Sequence, residues 1–251
     1  PVLSVVNAPW CDGAVFALNA DPAIPTPPGM QNRGQREIER LVQAVAPDAN
    51  GAAADGMYID SYEFWANSLD CDRRHFETVE TPLVFDMQTK RPGILTVYAT
   101  CAFERAMAER MHALGKLMMA NGVLQTYDCC APFLDVLGTE TNWFPENRWQ
   151  PMSIAELDYR RALSGQKPYC FLMNTHYAAF SLELTERYMA RSLAFGMFPG
   201  FFSENAATAC YFDRPECFEP ARPLFRKYVP LIQRIATAGW MPVTYARAGD
   251  A

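Results

Sequence analysis

Polar side chains capable of acid–base or nucleophilic chemistry stand where apolar segments of the sequence end. The carboxylates among them are Asp60, Glu140 and Glu204, and the amides are Asn121 and Asn174. Cleavage of a glycosidic bond uses a pair of carboxyl groups, one at the anomeric carbon and one that protonates the leaving oxygen. Amide side chains suit sugar hydroxyl groups because they both donate and accept hydrogen bonds. We therefore predict Asp60 and Glu140 as catalytic residues, with Asn121, Asn174 and Glu204 in contact with substrate.

Aromatic residues accumulate in the segments around these positions. Tyr58 precedes Asp60, Tyr62 and Trp65 follow it, and Trp143 follows Glu140. The C–H faces of sugar rings pack on aromatic planes, so these side chains favour a carbohydrate cleft. The alternative is that the large aromatic residues hold long loops against the protein. Under the first interpretation, Tyr62, Trp65 and Trp143 also contact the substrate.

Several acidic positions have a second interpretation. Asp60 is also a suitable N-cap for a following helix, although the sequence after it is a poor helix start. Asp86 ends another extended apolar run, LVFD, and is the main rival to Asp60 as the nucleophile. The segment LDCDRRHF brings Asp70, Asp72 and His75 close enough in sequence to hold a metal. The two arginines between Asp72 and His75 favour a salt-bridged loop instead.

The hydrophobic pattern alternates between short apolar runs and longer segments of helical periodicity. Strands are predicted at 2–8, 56–60, 82–87, 116–122, 134–140, 168–174, 197–205 and 240–246. Helices are predicted at 33–46, 97–115, 153–165, 181–196 and 219–239, and Ser153 with Glu156 predicts a capping box at the start of the third. Strands that alternate with helices of this length form βαβ units and a mostly parallel sheet.

Polar residues at successive strand ends favour a barrel, because a (β/α)8 barrel builds its active site at the carboxyl ends of its strands. No GxGxxG motif follows the first strand, so the sequence lacks the usual motif of a dinucleotide-binding sheet. About six of the predicted strands belong to βα units, whereas a full barrel has eight. We therefore predict an α/β fold of the (β/α)8, TIM-barrel type, incomplete at the N-terminus. Residues 1–240 form the barrel and residues 241–251 an exit strand; a less regular barrel is the alternative.

Parts of the sequence resemble retaining glycoside hydrolase barrels of the α-galactosidase-like and endo-α-N-acetylgalactosaminidase-like groups. GMYIDS resembles the fourth strand of such barrels, which supplies the nucleophile, and LDVLGTE resembles the sixth, which supplies the acid/base. MMANG stands where the fifth strand belongs, and GWMPVTYA looks like the exit toward a C-terminal β-sandwich. The resemblance implies hydrolysis with retention, in which Asp60 attacks and Glu140 protonates the leaving oxygen. The α-galactosidase-like group has Asp where this chain has Glu140.

Charge and composition argue against several other classes. The chain has 251 residues, a formal net charge of −6 and no basic run, so we expect no nucleic-acid partner. No apolar stretch reaches the roughly 18 residues that indicate a membrane span. Three histidines are too few for a metal-dependent barrel hydrolase, and we expect neither a metal nor a cofactor. The expected partner is an oligosaccharide or another glycoside. The alternative is a barrel that binds carbohydrate without cleaving it.

Overall fold

The computed structural model describes residues 3–8, 11–63, 67–204 and 210–241. The chain divides into two compact units, Pro1–Gly138 and Thr139–Ala251. The first unit contains β1 (Leu3–Ala8), β2 (Cys11–Phe16), α1 (Arg33–Ala44), β3 (Gly56–Ile59), β4 (Leu69–Asp70), β5 (Leu83–Phe85), β6 (Pro92–Leu95), α2 (Thr96–Ala113), β7 (Leu117–Asn121) and the start of β8 (Val136–Thr141). The second unit contains the end of β8, α3 (Ile154–Leu163), β9 (Tyr169–Met173), α4 (Leu182–Ala194), β10 (Phe198–Phe201) and α5 (Pro215–Ala238).

Five parallel strands form the central sheet, in the order β3, β7, β8, β9 and β10. The strand β3 pairs with β7 from Gly56 opposite Leu117 onward, and β9 pairs with β10 from Cys170 opposite Phe198 onward. The predicted α/β fold with a parallel sheet is therefore confirmed. Among the described residues this sheet has two edges, β3 and β10, and no closed barrel is found.

The first unit also contains antiparallel strands, and here the sequence-based prediction is incomplete. The strands β1 and β2 form a hairpin, and β4, β6 and β5 form a second small sheet. The predicted strands at 2–8 and 82–87 correspond to β1 and β5, but β2, β4 and β6 fall where no strand is predicted. The strand β6 begins with Pro92 and Gly93, and β4 has only two residues, so neither shows a clear strand pattern.

Each unit has its own hydrophobic core. In the first unit, Met107 and Met111 of α2 and Met118 of β7 are fully buried. In the second unit, Trp143 packs edge-to-face against Tyr188 of α4, with ring centroids 5.1 Å apart. Such aromatic pairs add to the stabilisation that comes from burial.

All five predicted helices form, and side-chain caps define where several of them begin. The helix α1 begins after Asn32, whose side chain accepts a hydrogen bond from the Gln35 N–H at 2.8 Å. The helix α3 begins after the predicted cap Ser153, which accepts from the Glu156 N–H at 3.2 Å. The helix α5 begins at Pro215 rather than at residue 219. Proline is favourable in the first turn because its missing N–H has no partner there.

The C-terminal segment is described only in part. Residues 240 and 241 follow α5 without forming a strand. The rest of the predicted strand 240–246 and of the predicted exit segment 241–251 lies outside the described residues. Among the helices that the structure describes, none is both long enough and apolar enough to cross a bilayer.

Candidate functional site

Asp60 directly follows β3, and its carboxylate is both exposed and held by hydrogen bonds. Oδ1 accepts from Asn121 Nδ2 at 2.7 Å and from the Tyr58 hydroxyl at 3.0 Å, and Oδ2 accepts from the Ser61 hydroxyl at 3.1 Å. Asn121 is the last residue of the neighbouring strand β7. These four residues, Tyr58, Asp60, Ser61 and Asn121, are called the Asp60 cluster. Their contacts orient the carboxylate while leaving it accessible from solvent.

The backbone at the ends of β3 and β7 fixes this cluster. The Tyr62 N–H donates to the Asn121 carbonyl at 2.9 Å. Gly122 has a φ of 73° and Ser61 a φ of 54°, both in the left-handed region that non-glycine residues seldom adopt. Such conformations cluster at functional sites. Residues 61–63 are not helical, so the helix-cap alternative for Asp60 is wrong.

In the second unit, Glu140 and Asn174 form a similar pair. Glu140 lies near the end of β8, and its Oε2 accepts a hydrogen bond from Asn174 Nδ2 at 3.0 Å. Asn174 directly follows β9, and its N–H donates to the Thr141 carbonyl at 2.8 Å. A strand-end carboxylate is thus again bound by the amide that follows the next strand of the sheet. Of the predicted residues, the structure brings together Asp60 with Asn121 and Glu140 with Asn174.

An open cleft of about 310 Å³ in the second unit includes Asn174 in its wall. Residues from the loops after β8, β9 and β10 line it: Asn142, Phe144, Glu146, Asn147, Asn174, Thr175, His176 and Glu204. These eight residues are called the strand-end cleft. Asn174 Oδ1 and Thr175 Oγ1 are buried and have no hydrogen-bond partner among the described residues. Because buried polar atoms almost always have a partner, water or a ligand hydroxyl is expected to complete these two.

Glu204 also lines this cleft, but basic and backbone groups already bind its carboxylate. Oε1 accepts from the Tyr177 N–H at 2.8 Å and from Arg214 Nη1 at 2.9 Å, and lies 3.4 Å from His176 Nδ1. Burial on its own raises the pKa of Glu204, but the hydrogen bonds from Tyr177 and Arg214 outweigh it and lower the pKa below its ordinary value. Glu204 is therefore a charged acceptor at neutral pH and a poor proton donor.

Two of the predicted aromatic contacts are buried within their own units. Trp143 is 1% exposed, and its ring packs against Phe171 at a centroid distance of 5.1 Å. Tyr62 is 4% exposed, and its hydroxyl lies 3.1 Å from Cys101 Sγ, which is in a disulfide bond. The structure thus assigns both rings to packing, as the alternative interpretation states, and neither ring face is open to a sugar. Trp65 lies outside the described residues.

Burial and a neighbouring carboxyl group raise the pKa of the Tyr62 phenol. Burial raises the pKa of the Tyr62 phenol far above its ordinary value, and Glu104, which is fully buried on α2, raises it further. The phenol is therefore neutral, and its hydroxyl donates to Cys101 Sγ on α2. This arrangement ties the loop after Asp60 to α2.

The sequence indicates Tyr58 only as one of the aromatic residues near Asp60, and it does not predict Asn142 or His176 as site residues. Tyr58 stands two residues before Asp60 in the strand, and Asn142 stands two residues after Glu140. Alternate residues of a strand point to the same face, so a spacing of two is the signal that identifies such neighbours. His176 shows no comparable signal, because it belongs to the loop after β9.

Asp86, the rival nucleophile, has a local structural role. Its Oδ1 accepts from the Gln88 N–H at 2.9 Å, and its Oδ2 accepts from the Thr89 hydroxyl at 2.5 Å. The Thr89 hydroxyl, followed by the Gln88 N–H, lowers the pKa of Asp86. Such side-chain bonds to the residues that follow are typical of turns begun by Asp.

The loop that contains Asp70 and His75 is salt-bridged. Asp70 Oδ2 lies 2.6 Å from His75 Nδ1, and Asp72 Oδ2 lies 2.5 Å from Arg74 Nη2. This is the arrangement that the sequence favours over a metal site. No group of three or more His, Cys, Asp or Glu side chains in the described ranges is arranged to hold a metal ion.

Comparisons with known proteins do not assign a family. No protein family, no characterised protein and no solved structure matches the chain. The features of this chain that bear on function are therefore the Asp60 cluster, the pair of Glu140 with Asn174, and the strand-end cleft.

Proposed function

We propose that the chain is a retaining glycoside hydrolase in which Asp60 is the nucleophile and Glu140 is the acid/base. The observation that carries this proposal is the carboxylate–amide pair, which occurs at the end of β3 with Asn121 and again at the end of β8 with Asn174. Retaining glycosidases need two carboxyl groups, and the donors around each group must hold it in place. The repeated pair supplies two oriented carboxyl groups at strand ends.

In the proposed first step, Asp60 attacks the anomeric carbon while the protonated Glu140 gives its proton to the glycosidic oxygen. The bond between carbon and oxygen breaks, the leaving group departs as an alcohol, and the sugar becomes an ester of Asp60. In the second step, Glu140 takes a proton from water as the water attacks the same carbon, which releases the sugar and restores both carboxyl groups. The exposure of Asp60 supports its assignment as the group that reaches the sugar.

The strand-end cleft is proposed to bind sugar hydroxyl groups. Asn174 Oδ1 and Thr175 Oγ1 supply buried acceptors, and Asn142 adds an exposed amide. Glu204 adds a charged acceptor whose position Arg214 fixes. Amides, hydroxyls and carboxylates are the groups that match the donors and acceptors of a sugar.

The proposed fold is the (β/α)8 barrel, and strand order supports it. The order β3, β7, β8, β9, β10 follows the order of these strands along the chain. Doubly wound sheets reverse this order at a switch point, whereas a barrel adds each new strand beside the preceding one. A full barrel needs further strands besides these five, and they are proposed to come from parts of the chain that do not belong to this sheet.

Hydrolysis of a panel of aryl α- and β-glycosides tests the proposal. The parent protein is compared with Asp60→Asn and with Asp86→Asn, a matched control that removes the same charge from a turn. We expect the parent and the control to cleave the same glycoside, and Asp60→Asn to lose on the order of 10³-fold or more in kcat. Equal turnover by Asp60→Asn would contradict the assignment. Absence of turnover, together with binding of oligosaccharides by the parent, would favour the non-catalytic carbohydrate-binding barrel.

A further inference from the structure

A cavity in the first unit brings two arginines together with an aspartate–histidine pair. The cavity has a volume of about 580 Å³ and is lined by Arg33, Arg91, Asp70 and His75 among others. Sites for small molecules typically enclose about 300–1,000 Å³. None of its lining residues belongs to the Asp60 cluster or to the strand-end cleft. The cavity therefore needs an explanation of its own.

Asp70 fixes the orientation of His75. Its Oδ2 lies 2.6 Å from His75 Nδ1 and accepts from Asn19 Nδ2 at 2.8 Å, and its Oδ1 accepts from the Asp72 N–H at 3.0 Å. Burial alone raises the pKa of Asp70, but these donors, led by the Asp72 N–H, lower it below its ordinary value. Asp70 is therefore an ionised acceptor at neutral pH, and the ring proton of His75 lies on Nδ1.

The other ring nitrogen of His75 remains for a ligand. Asp72 Oδ2 is 3.9 Å from His75 Nε2, which is beyond hydrogen-bond distance. The Asp72 carboxylate instead pairs with Arg74 at 2.5 Å. Asp72 is thus paired with a cation, and Asp70 is held by hydrogen bonds from Asn19, the Asp72 N–H and His75.

Arg33 and Arg91 are the two guanidinium groups in the lining of the cavity. The Arg91 guanidinium has no hydrogen bond or ion pair with any residue that the structure describes. Arg33 approaches Glu37 at 3.7 Å, and about half of its side chain (52%) is exposed. A guanidinium presents its N–H donors as a planar fork that matches the oxygens of a carboxylate or a phosphate.

We propose that this cavity binds a small oxyanion, a molecule that carries a carboxylate or a phosphate, between Arg33 and Arg91. Nε2 of His75 accepts a hydrogen bond from an O–H group of the ligand, in the ring orientation that Asp70 sets. The proposal rests on the residues of this cavity alone. It therefore stands or falls separately from the assignment of Asp60 and Glu140.

Binding of two probes, inorganic phosphate and D-glucuronate, tests this proposal by calorimetry on the whole chain. The variants are Arg33→Gln, Arg91→Gln and the control Arg36→Gln. Arg36 is exposed on the same helix, α1, and does not line the cavity, so its loss removes the same charge outside the site. We expect at least one probe to bind with a Kd on the order of 1 mM. Binding should weaken by about 10-fold or more in Arg33→Gln and Arg91→Gln and stay unchanged in Arg36→Gln.

The two probes distinguish two classes of oxyanion. Tighter binding of inorganic phosphate would identify a phosphate ligand, and tighter binding of D-glucuronate would identify a carboxylate ligand. As a second readout, the NMR signals of the His75 ring should shift on saturation with that probe, and they should not shift in Arg91→Gln. The proposal is overturned if neither probe binds. It is also overturned if the control loses as much affinity as the two cavity variants, since binding would then follow net charge alone.

Discussion

At the residue scale, replacement of Asn121 tests whether its amide orients the Asp60 carboxylate, since it leaves the carboxylate itself in place. Its Nδ2 donates to Asp60 at 2.7 Å, and the side chain is 3% exposed. A hydrogen bond to a charged group is worth about 1.5–3 kcal/mol, so Asn121→Ala should lower kcat roughly 10- to 100-fold. Steady-state kinetics on the best glycoside of the panel measure this effect. Asn50→Ala, in an exposed loop, is the control, and an unchanged kcat in Asn121→Ala would show that the amide does not orient the nucleophile.

Glu140→Ala provides a test of the acid/base role. Without its proton donor, the enzyme should cleave glycosides with poor leaving groups about 10²- to 10⁴-fold more slowly, and activated aryl glycosides much less so. Added azide needs no general base, so it should restore turnover and give a glycosyl azide of retained configuration, identified by NMR. Glu183→Ala, on an exposed turn of α4, is the control. An azide product of inverted configuration would instead identify Glu140 as the nucleophile.

The sequence predicts the positions of the polar residues at strand ends but not the burial of the aromatic residues near them. Asp60, Asn121 and Asn174 end apolar runs, so parallel strands place each of them at a strand end. The burial of Tyr62 and Trp143 does not follow from the sequence, because an aromatic residue in a loop has the same pattern whether its ring packs inward or faces a ligand. The hydrogen bond of Tyr58 to Asp60 depends on a side-chain conformation as well as on spacing.

At the scale of elements, Glu204 links the turn at Tyr177 to the segment that begins α5. Its folded-state pKa lies below the ordinary value of about 4.5, so its contribution to stability is present in full above about pH 4.5. That contribution is lost as the pH falls through the folded-state pKa. Glu204→Gln should therefore lower the free energy of unfolding at pH 7 by about 1–3 kcal/mol. The difference from the parent should shrink below about pH 4.5.

Urea unfolding of the parent, Glu204→Gln and the exposed control Glu183→Gln at several pH values measures this difference. The control should stay within about 0.5 kcal/mol of the parent throughout. A Glu204→Gln difference that grows as the pH falls would contradict the role assigned to the ionised carboxylate.

The elements themselves differ in how far the sequence specifies them. Periodicity and caps such as Ser153 identify the five helices and the five parallel strands to within a few residues at most ends. The strand β6 escapes the prediction because Pro92 and Gly93 usually mark turns, yet it lies between β4 and β5 as the middle of their small sheet. Pairing of this kind is decided by long-range contacts, which override local propensity.

At the scale of the whole molecule, the proposed reaction requires two carboxyl groups at strand ends. The sequential order of the five parallel strands supports the barrel, and the carboxylate–amide pair recurs in each compact unit. The proposed reaction uses Asp60 as the nucleophile and Glu140 as the acid/base. The strongest test therefore identifies the residue that becomes bonded to the sugar.

That measurement is the trapping of the glycosyl–enzyme intermediate. The protein is incubated with the 2-deoxy-2-fluoro form of the aryl glycoside that it cleaves, digested, and analysed by mass spectrometry. The fluorine slows both steps and the activated leaving group restores the first, so the ester on the nucleophile accumulates. We expect one added glycosyl group on the peptide that contains Asp60. An adduct on Asp86 or Glu204 would contradict the assignment, and hydrolysis without any adduct and with inverted product would contradict the retaining mechanism.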